Sequence, residues 1–193
     1  MPRSREFDEM EALDKAMRLF WRTGYSETSV RDLVEHTGVA HAGLYAAFGD
    51  KRGLFEAALR KYQREQMAYI FGPMEAEDAG LAEINGVFEA VIEGARSGSF
   101  RNGCFLANTA TEFKGDAGSV STIVQDNFKR QVRAFRNALK NAIAQGDLPK
   151  SLDIKVAADS LTTAFYGLST LTRAGVPTLA IENAARAAMA SLR

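Results

Sequence analysis

Apolar residues recur at helical spacing along nearly the whole chain and nowhere in sustained two-residue alternation, which restricts the fold to packed helices. Met10, Leu13, Met17, Phe20 and Trp21 form the first stripe and the pattern stops at Gly24, so an amphipathic helix is predicted over roughly residues 6 to 23. Thr28 and Ser29 are cap-type residues, and Asp32 sits three positions after Ser29, ahead of Val30, Leu33 and Val34 on a short second helix that ends at Gly38. Val39 to Phe48 is a third short unit closed by Gly49, after which Asp50 can cap a longer helix beginning KRGLFEAALRKYQREQ.

Gly72 and Pro73 interrupt the pattern and Gly80 reinforces the break before LAEINGVFEAVIEGA resumes it. GARSGSFRNG is expected as a loop, FLANTATEF as a short helix and Ser119 to Ala144 as a long one, ended by GDLPKS. Two last helices are predicted from about Leu152 to Arg173 and from about Thr178 to Leu192. The fold class is therefore all-α, about nine helices: an N-terminal three-helix domain followed by a C-terminal helical bundle. The expected organisation is a head over residues 1–50, a connecting helix over 51–72 and a second domain over 73–193.

Lys+Arg 24 against Asp+Glu 24 gives a formal net charge of +0, so any affinity for nucleic acid must come from local placement of charge. One cysteine cannot form an internal disulfide, and with two histidines it cannot supply a closely spaced zinc set, so no metal or cofactor is expected. The opening MPRSREFDEMEALDK carries acids where a signal peptide needs apolar residues, and no apolar run approaches ~18 residues, which leads to the expectation of a cytoplasmic chain without a membrane partner. A nucleophilic triad would have to draw on His36 or His41, both inside the short N-terminal helices, and GARSGSFRNG lacks the Lys-Ser/Thr ending of a phosphate loop, so the chain is not expected to be an enzyme.

The most informative segment is SVRDLVEHTGVAHAGLYAAFGDKRGLF, residues 29–55. Its spacing is that of a helix-turn-helix, with Gly38 at the turn. Ala40, His41, Ala42 and Gly43 are small or polar at the start of the third helix, where backbone must approach a major groove. T-G-Y-x-x-T-S-V-R-D-L followed by T-G-V-x-x-x-x-L-Y-x-x-F-x-D-K-x-x-L-F resembles the DNA-binding domain of the TetR family of transcriptional repressors over residues 7 to 66. The resemblance implies a homodimer on a two-fold operator, with the Tyr45 hydroxyl and Lys51 on phosphates. Thr28 and Ser29 are further phosphate candidates. Tyr45 and Phe48 also suit a core, His41 a solvated surface and His36 a helix C-terminus. The sequence departs from the family at His41, where many members carry lysine, and at Ala46 and Ala47. Residues 1–66 hold as many acids as bases, so weak nonspecific affinity follows.

GCFLANTATEF is similar to ligand domains of small-molecule-responsive or electrophile-responsive members. Cys104, Asn108 and Glu112 fall at i, i+4 and i+8 along one face, which suggests a ligand pocket. Cys104 beside a helix start would favour thiolate, or it is a small buried hydrophobe. Glu112 could meet a cationic ligand, Arg101 or Arg136. Phe105, Phe88, Phe128 and Tyr166 could line the same space or simply be core. Leu161, Phe165 and Leu168 form one stripe and Ala184 and Ala188 another, which two copies could merge into a four-helix interface. The function expected is a dimeric repressor released from its operator by a small molecule or electrophile. The alternative is a ligand-binding or protein-partner module with a degenerate DNA-binding domain.

Overall fold

The structure, a computed structural model, describes residues 8–114 and 118–193 of the 193-residue chain. Residues 6 and 7 of the expected first helix, and residue 7 of the family resemblance, lie outside the described residues. The head consists of α1 (Glu9–Thr23), α2 (Val30–Thr37) and α3 (His41–Phe48). Asp8 caps α1 by accepting from the Met10 and Glu11 amides. Ser29 and Asp32 form a reciprocal capping box on α2, so two otherwise orphaned amides are satisfied at that end. Gly38 turns the chain into α3 with φ 75°, a conformation glycine adopts without steric cost.

Asp50 then caps α4 (Lys51–Tyr62) by accepting from the Gly53 amide. The chain does not stop there. It continues through a π-helical turn (Gln63–Met67), α5 (Ala68–Phe71) and a 3-10 turn (Gly72–Glu75) as one rod, with right-handed backbone at each junction. Pro73 sits in the first turn of the 3-10 segment, where its missing N–H is harmless, and the rod ends just beyond it. The remaining helices are α6 (Leu81–Ser97), α7 (Phe105–Glu112), α8 (Ser119–Gln145), α9 (Ile154–Arg173) and α10 (Thr178–Ala190). Among the described residues no strand interrupts the helices and none of the helices is long and apolar enough to cross a membrane.

The head meets the body around Phe55 of α4. Its fully buried ring lies 5.0 Å from Phe20 and 5.0 Å from Tyr25 on the head side, and 5.5 Å from Phe105 and 5.4 Å from Phe113 on the α7 side. Aromatic pairs at these separations add to the area they bury. A second cluster in the body joins Phe71, Phe135 and Phe165. The bases of α8 and the acids before α6 meet at one place, where Arg130 grips Glu75 through two hydrogen bonds; Arg136 faces Asp159 instead.

Because Phe55 fills the joint from four sides, Phe55→Ala is expected to cost about 3–5 kcal/mol. Urea unfolding followed by circular dichroism measures it. A loss below about 1 kcal/mol would mean the joint collapses around the missing ring.

Candidate nucleic-acid interface and effector site

α3 starts at Ala40, whose backbone is extended and whose side chain offers no cap. Ala40, His41 and Ala42 are exposed, Gly43 is half-buried, and Leu44 faces fully inward. The start of α3 is therefore a smooth outward surface with bare backbone amides. Tyr45 is half-buried, and its ring lies 4.1 Å from the His41 ring one turn earlier, so the two polar-tipped rings stand together on that surface. Lys51, at the first position of α4, holds its ammonium 4.2 Å over the Tyr25 ring. The negative face of the ring attracts the cation and holds it there.

The expected phosphate contact of Thr28 is corrected, while Ser29 is found engaged in its own capping box. Thr28 is buried; its hydroxyl donates to the Gly24 carbonyl at 2.5 Å and pairs with Thr23 at 2.6 Å, so it closes the turn between α1 and α2. Ser29 is exposed, but its hydroxyl and its amide both donate to the Asp32 carboxylate, at 2.7 and 2.8 Å. Those hydrogen bonds hold the Asp32 carboxyl below its ordinary range. A carboxylate at this helix start repels phosphate.

The expected pocket residues separate into different places. Cys104 is the N-cap of α7 and is fully buried, with the Tyr62 hydroxyl in hydrogen-bonding contact with its sulfur. Burial pushes the thiol up, which outweighs the nearby amides of α7; the helix-start argument for a thiolate fails on desolvation. Phe105 packs in the joint against Phe55 and Tyr62. Asn108 donates to the Asn102 carbonyl at 2.9 Å and so closes the loop before α7. Glu112 pairs with neither Arg101 nor Arg136. Its carboxylate accepts from the Tyr25 amide at 2.9 Å and the Ser26 amide at 2.5 Å, reaching across into the head. Gly24, with φ 90°, makes room: a Cβ there would lie 3.1 Å from the carboxylate.

Phe88 is buried against Phe135 and borders a cleft of about 500 Å³ between α6 and α10, shared with Leu81, Ile92, Leu148 and Met189. Phe128 and Tyr166 form a pair at 4.5 Å beside α8. The Tyr166 hydroxyl accepts from Asn127 at 3.1 Å and donates to Gln131, and burial pushes its pKa far above the ordinary tyrosine value. Asn127 and Gln131 were missed in the sequence. The signal was there, since both fall on the α8 stripe of Val120, Val124 and Ala134, where a polar side chain is buried and must find partners.

Leu161, Phe165 and Leu168 are also corrected. All three are buried inside the subunit, Phe165 against Phe71 at 4.9 Å, and are not available to a second copy. Ala184 is exposed and Ala188 half-buried. The outward face of α9 and α10 carries Val156, Leu171 and Leu179, exposed by 59%, 45% and 67%, together with Ala180 and Ala187.

Comparison with known proteins agrees with this geometry. The model described as bacterial regulatory proteins, tetR family, matches residues 12–58, and that of the tetracyclin repressor-like C-terminal domain matches residues 80–188. The HTH-type transcriptional repressor ComR of Escherichia coli (strain K12) is 34% identical over 177 residues, 90% of this chain and 83% of ComR. The uncharacterized HTH-type transcriptional regulator YezE of Bacillus subtilis (strain 168) is 30% identical over 148 residues, 77% of this chain and 76% of YezE. A cysteine mutant of the TetR family transcriptional regulator CifR, complexed with a 26 bp double-strand operator DNA, superposes with a TM-score of 0.86 at 27% identity, covering 100% of both chains.

The buried thiol yields a direct expectation. An aromatic disulfide reagent at pH 8 labels Cys104 only on the timescale of unfolding, and at once in guanidinium. The raised folded-state pKa has a signed consequence: its stabilisation is complete below the unfolded thiol value and is lost as pH rises past about 9. Rapid labelling of the folded protein would show that the thiol is open to solvent.

Proposed function

Since the chain belongs to the TetR family of bacterial regulatory proteins, we propose that it acts as a homodimeric transcriptional repressor released from its operator by a small-molecule effector. The observation that carries this proposal is the outward start of α3, where Ala40, His41, Ala42 and Gly43 leave the backbone free to enter a major groove. His41 and Tyr45 are the polar side chains on that surface, and Lys51 with the start of α4 supplies phosphate contact. CifR in its solved complex holds operator DNA, and ComR is a repressor; the same role is inferred for this chain.

Residues 1–66 carry as many acids as bases, so one copy binds DNA weakly by itself and two must act together. The dimer surface proposed is the outward face of α9 and α10 around Val156, Leu171, Leu179 and Ala184, where alanines let helices approach closely. The division proposed is a head over residues 1–50, a connecting helix over 51–72 and an effector and dimer domain over 73–193.

One route from the body to the DNA-reading helix runs along α7. At its beginning the Gly103 carbonyl accepts from the Trp21 indole at 3.0 Å, and at its end Glu112 holds the Tyr25 and Ser26 amides. Arg173 of α9 adds contacts to the Trp21, Arg22 and Asn102 carbonyls. An effector that favours a displaced α7 therefore tilts α1 and with it α3.

In a mobility-shift titration with a duplex selected from random sequence, Tyr45→Ala and Lys51→Ala are each expected to weaken binding about tenfold. No change in either variant favours the degenerate-module alternative. Sedimentation equilibrium should find a dimer that Leu179→Glu with Ala184→Glu converts to monomers, and a monomeric wild type would refute the proposal.

A further inference from the structure

The π-helical turn interrupts the rod directly opposite the polar pair of α8. Beneath it lies a small, partly open gap of about 10 Å³, room for roughly one water molecule, beside a surface groove of about 330 Å³. Gln63, Asn127 and Arg130 border both spaces. Met67, Phe71 and Ala134 give the inner gap an apolar wall. Gln63 of the turn donates to the Ile123 carbonyl at 3.2 Å, which ties the π turn to α8.

Two features point to the chemistry of an occupant. Gln131 is 97% buried, its Oε1 accepts from Tyr166, and its Nε2 has no hydrogen-bond partner among the described residues although it borders the gap. A buried amide donor left unmatched calls for an acceptor. Beside it, the Arg130 guanidinium already holds a carboxylate in fork geometry, that of Glu75 from the 3-10 turn, at 2.5 and 2.6 Å. Lys129 and Arg133 add positive charge to the outer groove, against Asp126. The Arg130–Glu75 pair is about half open to solvent, so an incoming carboxylate reaches the guanidinium in direct competition with Glu75.

We propose that this space binds a small monocarboxylate with an apolar tail. Its carboxylate takes the Arg130 fork from Glu75 and accepts from Gln131 Nε2, while its tail opens the gap against Met67 and Phe71. Displacing Glu75 frees the end of the rod whose other end carries the head; this consequence rests on the effector-responsive function proposed above, whereas the binding itself does not.

Benzoate is the probe, with benzamide and benzyl alcohol as uncharged isosteres. Isothermal titration of the full-length protein without DNA, at constant ionic strength, should show benzoate binding and at least about tenfold weaker binding of both isosteres. Gln131→Leu and Arg130→Gln should each weaken benzoate about tenfold. Glu75→Gln, which removes the resident competitor, should tighten it several-fold, an effect that a purely structural ion pair would not produce. The side-chain amide resonance of Gln131 should shift on addition of benzoate. Equal binding of the three compounds, no binding of benzoate, an unchanged Gln131→Leu, or weaker binding by Glu75→Gln would overturn the proposal. Because DNA is absent, any of these results is distinguishable from a failure of operator binding.

Discussion

Two consecutive amides in the turn between α1 and α2 point away from the head, and a single carboxylate from α7 accepts from both. That contact sits beside the Phe55 aromatic joint and is joined by the Trp21 and Arg173 hydrogen bonds in relating the head to the body. Gly24, at φ 90°, leaves the carboxylate room, since a Cβ there would crowd it at 3.1 Å. Tyr25, whose amide is held, places its ring between Phe20, Phe55 and Phe113, and the same ring carries Lys51. One turn of backbone thus links a charge-assisted hydrogen bond, an aromatic cluster and the Lys51 cation. The carboxylate adds a directional, charge-assisted tie to the packing and to the Trp21 and Arg173 hydrogen bonds.

The neutral balance of charge is consistent with this construction. The start of α3 has little electrostatic attraction for DNA and presents backbone, two rings and little else. In the proposed dimer, recognition by such a surface would depend on shape and on two heads held at a fixed separation, which a tilt of a few degrees at the joint would change. A strongly basic head would hold DNA through any such tilt. Under the proposed function, weak intrinsic affinity and a stiff joint are what would let an effector switch the protein.

Much of the head was legible in the sequence because its signals are local. Ser29 with Asp32, Gly38 and Asp50 each act within a few residues, and the helix boundaries they predicted are the ones observed. The family motif also located the exposed start of α3. What local signals cannot carry is the direction a side chain takes at a distance. Glu112 stands on the same face of α7 as Asn108, yet it answers backbone groups 86 and 87 residues away. Thr28 has the residue type of a phosphate contact and spends its hydroxyl within its own turn. Apolar stripes on α9 were visible, but a stripe says nothing about whether its cover is another helix of the same chain; Leu161, Phe165 and Leu168 have theirs, and Val156 and Leu171 do not. Asn127 and Gln131 could have been found from their place on an apolar stripe, which is a stronger sign of a site than polarity at helical spacing alone.

The central claim is that α3 enters a groove and does so twice, in symmetric copies. Hydroxyl-radical footprinting on the duplex selected by this protein tests both parts at once. Two protected patches on one face of the DNA, with centres about 10 bp or a multiple of it apart, are the expected result. A single patch, or protection spread evenly along the duplex, would contradict it.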